Sequence, residues 1–323
     1  MKKIVLFLLV FFSYSVNAQM VPSFLGVYDK KLNPNATGTV TFTNCSKTGI
    51  NGPSQSDCNT SYSGTSLEGD VTLSSGIQLW TAPTTATYTI EVWGAKGGGD
   101  TYPCNYHGLG GTDCHGVNGA RMKGTFSLNQ GDILRIAIGQ MGESYVSGNN
   151  GGGGGGGGTF VAKGSDHSGA TALIIAGGGG GGHYYTNSIP KVGQTTESGL
   201  GNATTWSSGQ TEYGSGGGGS WSSDGENGSY GTLGGKGWPN LLVGGIHATS
   251  ANAHWAKGDG GFGGGGGGSW AGGPGGGYNG GPKVKSYGNP TPGGSGGGSY
   301  NSGSNQDNTA GACDSHGKVI ITW

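Results

Sequence analysis

Cys104, His107, Cys114 and His115 fall in a C-x2-H-x6-C-H pattern, and thiolates and imidazoles are the donors that zinc takes. The same thiols have a second chemistry open to them. In an oxidising compartment a Cys104–Cys114 disulfide with solvent-facing imidazoles is the expected arrangement, and no metal is expected. The sequence holds five cysteines, Cys45, Cys58, Cys104, Cys114 and Cys313. Cys45/Cys58 and Cys104/Cys114 are the candidate pairs, each closing a short loop worth about 2–3 kcal/mol. One cysteine is left over, and spacing alone does not choose between Cys313 free and Cys313 bonded to Cys104 or Cys114.

Other constellations carry less chemistry. Asp224-Gly225-Glu226-Asn227-Gly228 offers oxygen ligands but lacks the distal bidentate Glu of an EF-hand, so it reads as a turn. G-x-G-x-x-G matches abound in such a composition, yet none opens a helix after a strand, and a phosphate site needs the helix amino end as well as the glycines. Gly151–Gly158 runs into Thr159 rather than into Gly-Lys-Ser/Thr, so it is no P-loop. None of the seven histidines and many serines has a recognisable nucleophile setting, and no pair of carboxylates sits at strand ends. The expectation is a protein that is not an enzyme and takes no cofactor. Asn35, Asn44, Asn59, Asn202 and Asn227 begin N-x-S/T triplets, which matter only in a host that glycosylates exported proteins.

Aromatic residues are the better candidates for recognition. Trp80 and Trp93 lie in strand-like runs and are expected to fill a core. Trp206, Trp221, Trp238, Trp255 and Trp270 instead interrupt a glycine-rich region, where they either plug the flanks or ends of that region or stand exposed as anchors for a sugar or a protein.

The elements that must position these residues are set by an unusual composition. Of 323 residues 79 are glycine, while hydrophobic residues make up 32% and charged residues 10%, against roughly 45–50% and ~25% in an average domain. A single oily core over the whole length is excluded. So is collagen, because the glycines come in blocks rather than at every third position. The formal charge of −1 leaves no basic stripe for nucleic acid.

Lys2 and Lys3 precede the apolar run Ile4–Phe12, and Val16-Asn17-Ala18 has the small residues of a cleavage site, so 1–18 is expected to be a secretory signal peptide. Residues 19–38 then form an amino-terminal segment ahead of a domain at 39–323. The apolar run Ile4–Phe12 is shorter than the ~20 residues that span a bilayer, and no later one is long enough, so no transmembrane segment is expected and the chain is read as secreted.

Thr39–Thr43 alternates apolar and polar β-branched residues, the mark of a strand with one buried face. Strand signals recur at 70–73, 76–80, 86–93, 120–128, 133–139, 159–162, 171–176 and 318–323, with Gly131-Asp132 as a hairpin-like break. No segment shows a sustained helical period with a cap. The reading is all-β, an antiparallel sandwich with strands within 39–176 and 316–323. The closing strand must pair with strands from the first half, so the glycine-rich region within 151–312 is an insertion held at both ends.

A lone glycine run is ordinarily a linker, since glycine loses the most backbone entropy on ordering. Several runs side by side behave differently. In the polyproline II conformation every N–H and C=O points outward, and neighbours without side chains can supply the partners. Gly151–Gly158 would span roughly 25 Å at ~3.1 Å per residue as one rod of such a bundle.

Several stretches in order resemble the glycine-rich extracellular domain of the anaplastic lymphoma kinase and leukocyte tyrosine kinase receptors. They are CSKTGINGPSQSDCNTSY from Cys45 to Tyr62, GIQLWTAPTTATYTIEVWGAKGG at 76–98, FSLNQGDILRIAIGQMGE at 126–143, the GGGGGTF junction ending at Phe160, LIIAGGGGGG at 173–182, GGFGGGGGGSWAGGPGGGYNGG at 260–281 and HGKVIITW at 316–323. The resemblance implies a TNF-like, jelly-roll sandwich carrying an inserted bundle of polyglycine II helices. It also implies binding of an extracellular ligand without kinase chemistry, since no catalytic-loop Asp or Asp-Phe-Gly sequence is present. Glycine-rich bundles of similar physics occur in tail-tip adhesins of bacterial viruses. The expected function is a binding or adhesion module that shows loops of 183–262 and 283–312 to an extracellular protein or surface glycan, with a structural matrix or coat protein as the alternative.

Overall fold

A computed structural model describes residues 37–99, 115–145, 151–183, 190–199, 214–249, 258–285 and 293–323. The signal peptide, Cys104, His107, Cys114, Trp206, Trp255, Asn35 and Asn202 lie outside the described residues.

In chain order the elements are β1 (Thr39–Phe42), α1 (Gln55–Tyr62), β2 (Thr72–Ser74), β3 (Ile77–Thr81), β4 (Ala86–Trp93), β5 (Gly119–Leu128), β6 (Ile133–Ala137), β7 (Thr159–Lys163), β8 (Thr171–Ala176), β9 (Tyr300–Asn301), β10 (Thr309–Cys313) and β11 (Lys318–Thr322). They form two antiparallel sheets, ordered β1-β11-β4-β5-β10 and β2-β3-β6-β7-β8-β9. The longest ladder pairs β4 with β5 from Ala86↔Leu128 to Trp93↔Arg121. The last strand, β11, sits between β1 and β4, with Val40↔Ile321 and Ile321↔Ile90. The two ends of the domain are therefore stitched into one sheet, as the carboxyl-terminal strand signal required.

The sheets pack face to face. Phe42, Tyr88, Ile90, Val92, Met122 and Ile321 of the first meet Trp80, Leu134, Ile136, Val161 and Ile174 of the second in one core. Alternation in β4 and β11 places one face in this core and the other toward solvent. β6 and β7 are buried on both faces, which is why they read as nearly continuous apolar runs.

Four sequence expectations change. A helix is present: Ser54 caps α1, its hydroxyl accepting the Asp57 N–H at 3.2 Å while the Asp57 carboxylate accepts the Ser54 N–H at 2.8 Å. Cys58 and Tyr62 alone turn inward, so the apolar period was too sparse to announce it. The Gly131-Asp132 turn joins no hairpin; β5 and β6 belong to different sheets and the turn carries the chain across. β9 and all but the last residue of β10 fall inside the stretch expected as loop at 283–312, and they extend both sheets. Trp93, expected in the core, stands half-buried beneath the Lys318 ammonium, which lies 4.4 Å from its ring centroid, because Val92 takes the inward register.

Cys45 and Cys58 are joined in a disulfide that ties α1 to the end of β1, and Cys313 is a buried free thiol. Beside the disulfide the Tyr62 hydroxyl donates to Gln78 Oε1 at 2.6 Å, and Gln78 Nε2 donates to the Thr43 carbonyl at 2.7 Å. Buried polar groups are thus satisfied where the helix meets both sheets.

The glycine blocks at 151–158, 177–182, 216–219, 263–268, 272–277 and 293–298 are buried throughout and form neither helix nor sheet. Their hydrogen bonds run mostly from one segment to another. Gly155 donates to Gly266 (2.9 Å), Gly156 to Gly179 (2.9 Å), Gly178 to Gly276 (2.8 Å), Gly276 back to Gly156 (3.0 Å) and Gly219 to Gly264 (2.7 Å). The segment at 151–158 runs directly into β7 and the one at 177–182 continues directly from β8, so the sheet fixes one end of each. Peptide groups that would otherwise be buried without partners are paired.

His183 ends one of these segments, fully buried, with Gly152 as its bridge partner. Burial pushes its pKa down to about 3, from roughly 6.5 for an exposed imidazole. Unfolding frees the imidazole to take a proton, so this contribution to stability is whole above about pH 6.5 and falls by about 1.4 kcal/mol per unit as the pH drops toward the folded value. His316, also pushed down by burial, acts in the same direction. Urea unfolding at pH 7, 6 and 5 is expected to show this slope, and His183→Gln is expected to remove most of it. Equal slopes in the two proteins would show that His183 carries no such linkage.

Candidate functional site

Trp238 begins a short 3₁₀ turn, Trp238–Asn240, with Pro239 pre-set for its first turn. It does not stand exposed. With 3% of its surface accessible it fills a second apolar layer, where Trp238, Leu242 and Phe262 cover Ile77, Ala137, Phe160 and Ile175 on the outer face of the second sheet. Its ring stacks on His167 at 4.6 Å and its Nε1 donates to the His167 carbonyl at 3.1 Å. The physical reason is a lack of alternatives: the glycine segments bring no side chains, so the few aromatics among them are drawn into covering the sheet. The stretch 183–262 therefore includes buried packing residues as well as loops.

Trp221 and Trp270 are half-buried. Trp221 packs on Trp238 with centroids 4.7 Å apart, and its backbone N–H donates to the Tyr278 carbonyl at 2.9 Å. Tyr278 in turn stacks on Tyr300 at 4.6 Å. Of the five tryptophans named as contacts, Trp221 lies next to a concave surface. A groove of about 270 Å³ is lined by 217–218, 220, 223–226 and 279–283, with Ser220, Ser223, Asp224, Glu226, Asn279 and Lys283 supplying its polar side chains.

The glycine segments position both walls. Gly218 donates to the Gly281 carbonyl (2.9 Å), Gly217 to Glu226 (2.7 Å) and Gly277 to Gly219 (3.1 Å), so the walls are fixed through backbone. Asp224 organises one end, with Oδ2 accepting from Lys236 Nζ at 2.8 Å and Oδ1 from the Gly237 N–H at 2.9 Å and Asn240 Nδ2 at 3.0 Å. Partial burial raises the Asp224 pKa, but the Lys236, Asn240 and Gly237 donors together hold the carboxyl below its ordinary value. Glu226 pairs with Lys283 at 3.1 Å, and Asn227 Oδ1 accepts the Gly234 N–H at 3.1 Å. The 224–228 oxygens are thus engaged by protein donors, as in a turn.

No protein-family model matches the chain. The leukocyte tyrosine kinase receptor of Mus musculus is 30% identical to it over 123 residues. That likeness covers 36% of this chain and 13% of the receptor, so the chain spans a small part of the receptor's length. It supports a relationship to one region of that receptor. Among the described residues no helix is long and apolar enough to cross a membrane.

Sequence reasoning missed Asn279, Tyr278, Tyr300 and Lys283. The signal was available in Tyr278-Asn279, set between two glycine blocks, where any side chain that cannot point inward must point out. Which segment would lie opposite was not readable from the chain.

Proposed function

We propose that the chain is a secreted, non-enzymatic binding or adhesion module. In this reading the glycine segments form a bundle of polyglycine II helices on a TNF-like, jelly-roll sandwich, and the bundle acts as a rigid platform for recognition. The observation that supports it is the polar groove between 217–226 and 279–283, whose walls are tied to each other by backbone hydrogen bonds. A preordered surface loses less entropy on binding, so modest contacts suffice for useful affinity. The ligand is an extracellular protein or a surface glycan: Asn279 and Glu226 offer exposed hydrogen-bonding groups, and Trp221 beside them offers a ring face. The partial likeness to a receptor favours the same class of function.

The test is an array of glycans and cell-surface proteins probed with the parent and with Asn279→Ala, Glu226→Gln and Trp221→Ala. At least one ligand is expected to bind the parent and to lose about tenfold or more in affinity, on the order of 1.4 kcal/mol, in two of the variants. Melting curves check that the variants remain folded. Binding unaffected by all three changes would remove the groove from the account, and no binding at all would favour the matrix or coat alternative.

A further inference from the structure

Glu143, on the segment after β6, and His247 and Asp259, on two segments of the glycine-rich region, come from three separate stretches of chain, none of which lines the groove above. One potential ligand atom from each lies within 4.8 Å of the others. We propose that these three side chains hold one divalent first-row transition cation, with Zn²⁺ the best match.

The backbone under them is already fixed. The Glu143 N–H donates to the Asp259 carbonyl at 2.8 Å, and the Glu143 carbonyl accepts from Gly154 at 3.0 Å. Gly260 donates to Gly245 at 2.8 Å, which holds the Asp259 segment against the His247 segment. The side chains close the arrangement. Glu143 Oε2 accepts the Asp259 N–H at 3.0 Å, Asp259 Oδ1 accepts the His247 N–H at 2.8 Å, and His247 Nδ1 lies 2.7 Å from the same oxygen. A zinc ion with ligands at about 2.0–2.2 Å needs its donor atoms only slightly rearranged from this spacing.

Charge argues in the same direction. Among the described residues neither Glu143 nor Asp259 is paired with a lysine or arginine, and the imidazole is the one partner near them that can carry positive charge. Two carboxylates at this distance repel, and a dication offsets both. The His247 and Asp259 side chains remain 39% and 26% accessible, so an ion can enter and water can complete its shell. One imidazole nitrogen with two carboxylates suits zinc or manganese; calcium and magnesium prefer oxygen alone, and copper(I) prefers sulfur. Bound there, the ion would clasp three chain segments, and melting would rise with its concentration.

The experiment uses the full chain, stripped with a chelator and kept under non-reducing conditions. Co²⁺ is titrated as a spectroscopic substitute and Zn²⁺ by calorimetry. One saturable site with a visible d–d band is expected, weakened by about tenfold or more in each of Glu143→Gln, His247→Gln and Asp259→Asn. The two amide variants keep an oxygen acceptor for the backbone N–H bonds, and circular dichroism confirms that they fold. A merely structural role for the three residues would leave no cobalt spectrum to lose. No saturable band overturns the proposal, as does a band that survives all three substitutions, which would put the ion at other side chains. Equal affinity for Ca²⁺ and Zn²⁺ would overturn the assignment to a transition cation.

Discussion

Valine in place of Gly265 is expected to cost about 4 kcal/mol or more, a large share of the roughly 5–15 kcal/mol that holds a typical domain together. A Cβ at that position would fall on the carbonyl oxygen of Gly155, with the amide nitrogen of Gly261 at 2.8 Å. Both obstacles are backbone, which cannot swing aside as a side chain can. Moving either segment breaks hydrogen bonds in place now, Gly265 to Gly261 at 3.0 Å and Gly155 to Gly266 at 2.9 Å. Each buried peptide group left without a partner adds about 1–3 kcal/mol. Gly169→Ala is the matched control, since a Cβ there meets nothing within 4 Å, and a change of about 0.5 kcal/mol or less is expected. Thermal melting reads the difference, and amide exchange across 263–268 should be slow in the parent. If Gly265→Val melted with the parent, the blocks would be slack linkers and the groove would have no fixed walls.

Trp238→Ala is expected to destabilise by about 3–5 kcal/mol, as large aromatic truncations in a core do. The ring covers Phe160 at 6.0 Å, His167 at 4.6 Å and Trp221 at 4.7 Å between centroids, and its removal would open a void between the second sheet and the glycine region. Trp238→Phe keeps most of the packing and loses the indole donor to the His167 carbonyl, so it should cost about 1 kcal/mol more than packing alone. Chemical denaturation of the two variants separates these contributions. A loss below about 1 kcal/mol for the alanine variant would mean that the second apolar layer contributes little to the fold. With the expected loss of about 3–5 kcal/mol, any loss of ligand binding in Trp238→Ala would follow from instability, which is why the binding test rests on Trp221, Asn279 and Glu226.

Strands were the legible part of this chain. β4 at Ala86–Trp93 and β8 at Thr171–Ala176 coincide with their sequence signals, because β-branched and aromatic residues between turn residues leave few other conformations. The Cys45–Cys58 pairing was also among the readable candidates. Helix α1 was missed for a local reason: its cap uses Asp57 where Glu or Gln is the commoner partner, and its buried face holds two residues. Trp93 was read on the wrong side of a surface, and for Trp238 the sequence left plugging and exposure both open. Their neighbours in sequence were clear, but the side on which each would be covered depended on segments far along the chain, Lys318 for one and Phe160 for the other.

The amino-acid order by itself determined which residues extend, where turns interrupt them, and that blocks without side chains must find partners for their peptide groups. These follow from steric preference and from the cost of an unpaired N–H, both of which act over a few residues. The tertiary structure alone decided which block lies against which, and so which polar residues meet in the groove or around Glu143, His247 and Asp259. Glycine carries no shape to encode a neighbour, so that choice was left to the strands that anchor the blocks and to the few side chains set between them.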